Sequence, residues 1–87
     1  MTQLGADPVQ LRNLAAQFRA EAGLIRESAQ SVTTELAAAW WRGEDCDRFT
    51  DAWHGEHAKT LNGIAAMLQE VAVGLDNEAT AQERTSY

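Results

Sequence analysis

Apolar residues in the first half of the chain recur at alternating steps of four and three residues. This period of 3.5 is typical of a helix that packs along one continuous stripe in a left-handed supercoil. Asp7 is suited to cap the start of this helix, and Pro8 to occupy its first position. The pattern predicts helix 1 over about residues 8–39. Its stripe consists of Leu11, Ala15, Phe18, Ala22, Ile25, Ala29, Val32 and Leu36.

A second apolar stripe follows Gly43 and predicts helix 2 over about residues 45–80, with a flexible tail over 81–87. Acidic residues crowd the first turn of this helix, where they suit its dipole, and Asp45 is the better capping residue among them. The stripe consists of Cys46, Phe49, Trp53, His57, Leu61, Ile64, Leu68, Val71 and Leu75.

The spacing within this second stripe changes between Phe49 and Leu61, where every step is four residues. Such a run acts as a stutter in a heptad pattern. We therefore expect the supercoil to relax locally around Gly55 and His57.

Only residues 40–44 separate the two helices, a normal length for an antiparallel helical hairpin. Gly43 tolerates the positive φ that a sharp reversal often needs. Trp41 beside it is a large ring with an N–H group, suited to cover the open end of a bundle. The residues expected to pack near the same end are Trp40, which continues helix 1, Phe49 and Trp53.

The predicted fold is an all-α antiparallel hairpin in which the numbers of facing residues sum to about 84. Two helices bury one stripe each and leave other apolar groups exposed to water. We therefore expect a second hairpin to complete a four-helix bundle. The residues predicted to form the hairpin and dimer seam are Leu11, Phe18, Ile25, Val32, Leu36, Leu61, Ile64, Leu68, Val71 and Leu75.

Three arginines, Arg12, Arg19 and Arg26, repeat every seven residues beside this seam. Charges at such a heptad position often select the partner and orientation of a coiled coil. The alternative is a basic edge that water solvates, and the sequence leaves both interpretations open.

Composition narrows the class of protein. The chain has 87 residues, one proline and a formal charge of −6, which fits one small helical domain. Without a basic stripe it is unsuited to bind nucleic acid. No apolar run is long enough to span a bilayer, and no cleavable signal peptide is visible at the start. The single cysteine, Cys46, excludes a disulfide within the chain.

The tryptophan-containing link carries a resemblance to a known family. A hairpin of this size with Trp41-Arg42-Gly43 at its centre, followed by Phe49 and Trp53, resembles the WXG family of early-secreted-antigen-like proteins. The resemblance implies a substrate of a type VII (ESX) secretion system that pairs with a like hairpin as a homodimer or heterodimer. Members leave the cytoplasm folded, without a cleaved signal peptide, after recognition by a membrane-bound secretion ATPase.

In that family the export signal has two parts, the Trp-Xaa-Gly turn and a C-terminal Tyr-x-x-x-Asp/Glu segment. The resemblance makes Trp41 and Gly43 the first part. The only tyrosine is Tyr87, with no acidic residue after it. Three explanations remain open: the partner supplies the second part, residues beyond Tyr87 have been lost, or this chain is not itself the exported subunit.

Chemistry-bearing side chains are few. His54 and His57 lie near acidic residues, but two histidines on one helix need a third, converging ligand, so we predict no metal site. Cys46 is most simply a small core residue. No nucleophile with a base and no phosphate-binding loop is evident. The sequence predicts a protein that is not an enzyme, with no cofactor and no small-molecule substrate.

The main functional hypothesis is therefore a small secreted type VII substrate or effector that acts through dimerisation and protein recognition. One alternative is a cytoplasmic adaptor or chaperone that pairs with the leader domain of a larger type VII effector. Another is a homo-oligomeric structural bundle without an export role.

Overall fold

The computed structural model describes residues 5–85 as a helical hairpin. The first arm is helix α1, Pro8–Ala38. The second arm begins with helix α2, Glu44–Ala52, passes through a π-helical segment, Trp53–His57, and ends with helix α3, Ala58–Thr85. No strand occurs among the described residues. The predicted all-α hairpin is confirmed.

The starts of the two arms use different caps. At α1, the Asp7 carboxylate accepts a hydrogen bond from the N–H of Val9 at 2.9 Å, and Pro8 is the first helical residue, as predicted. At α2 the cap is Gly43, whose φ of 116° lets the helix begin earlier than predicted. Asp45 accepts a hydrogen bond from Arg48 at 3.1 Å instead of capping the helix.

The second arm extends beyond its predicted end. A flexible tail was expected over residues 81–87, whereas α3 continues to Thr85. Ala79 is fully buried, and the Glu83 carboxylate accepts a hydrogen bond from Arg12 of α1 at 2.7 Å. These contacts with the first arm hold the last turns of α3. The remainder of the predicted tail, residues 86–87, lies outside the described part of the chain.

A line of alanines forms the buried seam between α1 and α3. Three alanines on each helix repeat every seven residues, so they lie on one side of it and face the other helix. Because methyl groups are small, the two backbones approach closely, and no large side chain is fully buried among the described residues. The seam alanines, all at most 4% exposed, are Ala15, Ala22, Ala29, Ala65, Ala72 and Ala79.

One flank of this seam is polar. It contains the residues four positions after, or three before, the seam alanines, and there side chains join the two arms. The three arginines of α1 therefore pair with side chains of α3 within the hairpin, while they remain partly exposed to water. The pairs are Arg12 with Glu83 at 2.7 Å, Arg19 with Asp76 at 2.6 Å, and Arg26 with Gln69 at 2.9 Å.

The opposite flank of the seam is apolar. It contains the residues three positions after, or four before, the seam alanines. Since the polar residues of the two arms meet on one side of the seam, these apolar residues must lie together on the other side. Its side chains remain half-buried or exposed; Ile64 and Val71 are 40% and 42% exposed. Leu36 continues the alanine line instead and is also half-buried. We call this flank the apolar face, formed by Leu11, Leu14, Phe18, Ile25, Val32, Leu61, Ile64, Leu68, Val71 and Leu75.

The register of the hairpin differs from the prediction. Facing numbers that sum to about 84 would place Ala65 opposite Arg19, whereas Arg19 contacts Asp76. Eleven residues of helix cover about 16 Å, which is more than an arginine and an aspartate span together. Residues 39–43 explain the difference: Ala39 leaves α1 in an extended conformation, so α2 begins beyond the end of the first arm.

The irregularity expected around Gly55 and His57 takes the form of the π-helical segment. The N–H of Ala58 donates to the carbonyl of Trp53, five residues earlier, as in a π-helix. In a regular α-helix these two residues would lie about 140° apart around the axis. The π-helical turn brings both toward α1, and it leaves His57, which the sequence placed on the core stripe, exposed.

The alanine seam leads to a prediction about size. Ala22 is fully buried, whereas Ala20 of the same helix is exposed. Ala22→Leu should lower the free energy of unfolding by about 1–3 kcal/mol, because a larger side chain forces the helices apart. Thermal or urea unfolding followed by circular dichroism measures the change. Ala20→Leu is the matched control and should leave stability nearly unchanged; equal effects would contradict close packing at Ala22.

A second prediction concerns pH. The hydrogen bond from Arg12 is the main cause that lowers the pKa of Glu83 below its usual value. A carboxylate with a lowered pKa in the folded state stabilises the fold above its unfolded pKa, and this contribution disappears as the pH falls through the folded value. Stability should therefore fall as the pH drops below the unfolded pKa of Glu83 and through its lower folded pKa, and Glu83→Gln should reduce this dependence.

The control for this experiment is Glu70→Gln, since Glu70 forms no ion pair within residues 5–85. Its acid unfolding curve should retain the shape of the wild type. Indistinguishable curves for the two variants would show that the Arg12–Glu83 contact does not contribute to stability.

Candidate interaction site at the hairpin tip

The link between the arms is an extended segment. The last backbone hydrogen bond of α1 runs from the N–H of Ala39 to the carbonyl of Glu35 at 3.0 Å, and Ala39 itself is extended, with ψ at 144°. The chain then reverses at Gly43, which has the only positive φ among the described residues. Trp40 therefore lies outside α1 and does not continue it as the sequence predicted.

Three aromatic rings form a row that runs from the link to the first arm. Trp41 packs against Phe49 with ring centroids 6.1 Å apart, and Phe49 stacks on Trp53 at 6.4 Å. Trp41 and Phe49 are 40% and 41% exposed, whereas Trp53, at the end of the row next to the first arm, is only 7% exposed. The row, which we call the aromatic row, fixes the link against one side of α2 and the π-helical segment.

Trp53 anchors this row to α1. Its indole N–H donates to the hydroxyl oxygen of Thr33 at 2.9 Å, and the Thr33 hydroxyl donates to the carbonyl of Ala29 at 3.1 Å. Thr33 occupies the same heptad position as the three paired arginines. The polar flank thus ends in this hydrogen bond near the tip.

Trp40 is separate from the aromatic row. It is 84% exposed, and the Arg42 guanidinium lies 5.8 Å from its ring centroid. Such an arrangement is a cation–π contact at a solvated site, worth about 0.5–1 kcal/mol. Of the four aromatic residues predicted to pack near the turn, the structure brings Trp41, Phe49 and Trp53 together and places Trp40 in solvent.

Helix α2 projects past the first arm. Contact between the arms is almost entirely between α1 and α3, and α2 contains no buried residue. Its first turn contains Glu44, Asp45 and Asp47. Negative charges at this position interact favourably with the positive end of the helix dipole. The tip therefore presents Trp41 of the link and Phe49 of α2, and acidic residues lie at the start of that helix.

Other candidate chemistry at this end is sparse. His54 and His57 are exposed, and Cys46 is half-buried with its sulfur 3.9 Å from the Thr50 hydroxyl. Within residues 5–85, no group of three His, Cys, Asp or Glu residues is arranged to hold a metal ion. The same part of the chain contains no helix long and apolar enough to cross a bilayer.

A shallow notch lies on the polar flank beside Thr33. It encloses about 180 Å³ between Arg26 and Gln30 of α1 and Ala58 and Asn62 of α3. Sites for drug-sized ligands usually enclose about 300–1,000 Å³. The notch is therefore smaller than a typical site for such a ligand.

The chain matches no protein-family model, and no curated protein or solved structure matches it.

The anchor at Thr33 was not found from the sequence. An apolar stripe identifies Trp53 as an inward residue but does not identify the hydroxyl that receives its N–H. The useful signal was the repeat of polar residues every seven positions, in which Thr33 follows Arg26. A polar residue in that series is expected to face the second arm once the first pair is known.

The anchor can be tested with a double-mutant cycle. Trp53→Phe keeps a ring for the stack on Phe49 but removes the donor, so we expect a loss of about 1 kcal/mol in unfolding free energy. Thr33→Val removes the acceptor and should cost a similar amount. Both changes remove the same hydrogen bond. The double variant should therefore lose less unfolding free energy than the sum of the losses in the two single variants. Strict additivity would contradict the proposed anchoring role.

Proposed function

We propose that this protein is a small helical-hairpin subunit of a type VII (ESX) secretion system, exported as part of a four-helix bundle. In this proposal the apolar face binds a second hairpin. The link at Trp41 and Gly43 is then recognised by the secretion ATPase. The proposed activity is protein recognition and does not involve catalysis.

The observation that carries the pairing step is the amount of surface that the single hairpin leaves in water. A compact monomer of 9.5 kDa exposes about 5,000 Å², whereas this chain exposes 6315 Å². The excess of roughly 1,300 Å² exceeds the roughly 800 Å² that each partner buries in a standard interface. A second hairpin of similar length is the simplest structure that covers such a surface.

The shape of the molecule agrees with this proposal. Its radius of gyration is 19.3 Å and its dimensions are 65 × 17 × 13 Å, while a compact domain of this length has a radius of gyration of about 12 Å. A rod this thin has no interior of its own beyond the alanine seam. Antiparallel or parallel docking of a second rod would double its thickness and bury the half-exposed leucines on both.

The export step is supported by the placement of Trp41. Trp41 is 40% exposed, and its ring packs against Phe49 of the projecting α2. A partly exposed tryptophan on a rigid support is a common energetic centre of protein recognition. Together with the resemblance of Trp41-Arg42-Gly43 to the WXG turn, this favours recognition at the tip over a purely structural role.

The proposal predicts different effects for two adjacent tryptophans. Trp41→Ala should reduce export by about tenfold or more, as expected for loss of at least 1.4 kcal/mol of recognition energy. Trp40→Ala is the matched control, since its ring lies outside the aromatic row, and it should be exported like the wild type. Immunoblots of cells and culture medium from the native host, with and without the secretion ATPase, measure the ratio.

Melting temperatures of the purified variants separate recognition from folding. Trp41→Ala is expected to unfold only a few degrees below the wild type, because its ring is already partly solvated. Export of all three proteins at wild-type levels, or export that persists without the ATPase, would contradict the type VII assignment. Retention in the cytoplasm bound to a larger effector would instead favour the adaptor hypothesis.

A further inference from the structure

Charged residues border the apolar face, and all of those on α1 and α3 are acidic. The border consists of positions one residue before the seam line, where a second hairpin would first meet the edges of this one. On α1 these positions include Glu21 and Glu35, and on α3 they include Glu78. All three glutamates are exposed. Of the other residues one position before the seam line, Leu14, Ile64 and Val71 belong to the apolar face itself, and Ser28 is uncharged.

The basic residues lie elsewhere. Arg12, Arg19 and Arg26 are paired across the polar flank. Arg42 lies in the link and Arg48 pairs with Asp45 in α2. Lys59 and Arg84 follow the seam line by one and five positions and so lie away from the apolar face. His57, the last residue of the π-helical segment, precedes the regular heptads of α3.

This distribution disfavours a second copy of the same chain as the partner. Two copies docked through their apolar faces would bring six carboxylates to the edges of one interface without a lysine or arginine between them. Like charges at an interface weaken association and discriminate against the wrong partner. The conclusion holds for parallel and antiparallel docking, because every charged α1 or α3 border position has the same sign.

We infer that the partner is a helical hairpin of different sequence whose apolar face is bordered by lysine or arginine. This inference rests on the proposed pairing through the apolar face and specifies its partner chemistry. The glutamates at the border select this partner, while the leucines and Phe18 supply the buried area. Arginines of the polar flank do not take part, since they already hold α1 to α3.

The inference can be tested with the protein and its own charge-reversed variant as a stand-in for the basic partner. Glu21→Lys with Glu78→Lys places one lysine on each border. In 50 mM salt, a mixture of wild type and this double variant should associate roughly tenfold more tightly than wild type alone, given about 0.2–1 kcal/mol for each exposed ion pair. Sedimentation equilibrium with one fluorescently labelled component measures both constants.

The matched control carries the same change in net charge on the outer surface. Glu27 and Glu70 are exposed and lie two positions before seam alanines, so they point away from the apolar face. Glu27→Lys with Glu70→Lys should strengthen association with the wild type much less. The advantage of the border variant should also shrink in 500 mM salt, where screening is nearly complete beyond about 4 Å. Circular dichroism verifies that both variants are helical.

Two outcomes distinguish failure of the basic-bordered partner from failure of pairing through the apolar face. A wild-type homodimer as tight as the border mixture, and unaffected by salt, would overturn the basic-bordered partner while leaving pairing intact. Chains that remain monomeric in every mixture at several hundred micromolar would overturn pairing through the apolar face, and the inference with it. In the first case Phe18→Glu should still dissociate the dimer.

Discussion

Close approach of two helices through alanine is the interaction on which the rest of this structure depends. A methyl group every seven residues on each arm fills the contact line, and a larger residue, Leu36, continues it only near the hairpin tip. The large side chains are therefore displaced to one flank, where a single hairpin can only half-cover them. The same packing that joins the arms therefore leaves the apolar face on the surface of the hairpin.

The polar flank determines which side is left open. Arg12, Arg19 and Arg26 reach across to α3 on one side of the seam, and exposed ion pairs of this kind add little net stability. Their larger contribution is to set how the two helices are rotated about their axes. Because the polar residues of both arms meet on one side of the seam, the apolar residues of both arms meet on the other side. In the proposed bundle, the polar flank would face solvent and the apolar face would bind the partner.

Much of the hairpin could be predicted from the sequence, because heptad spacing, Asp7-Pro8 and Gly43 each act through local geometry. The pairing register could not. It depends on how far the link travels before α2 begins, and the extended conformation of Ala39 has no distinct signature in "AAAWWRG". The partners of the arginines follow from that register and were missed for the same reason. The placement of Trp40 in solvent was missed because a tryptophan after an alanine run reads as a continued helix.

The π-helical segment reconciles two patterns that a regular helix cannot satisfy together. Before the segment, Phe49 and Trp53 are four residues apart, which lets their rings stack in the aromatic row. After it, Ala58 begins the line of alanines that repeats every seven residues. A five-residue interval separates Trp53 from Ala58, and a π-helical turn is the conformation in which such residues share a side. The hydrogen bond to Thr33 then holds Trp53 against α1. One extra residue in a single turn thus lets the tip carry aromatic rings without disturbing the seam, and it keeps the proposed recognition site and the proposed dimer face on one continuous arm.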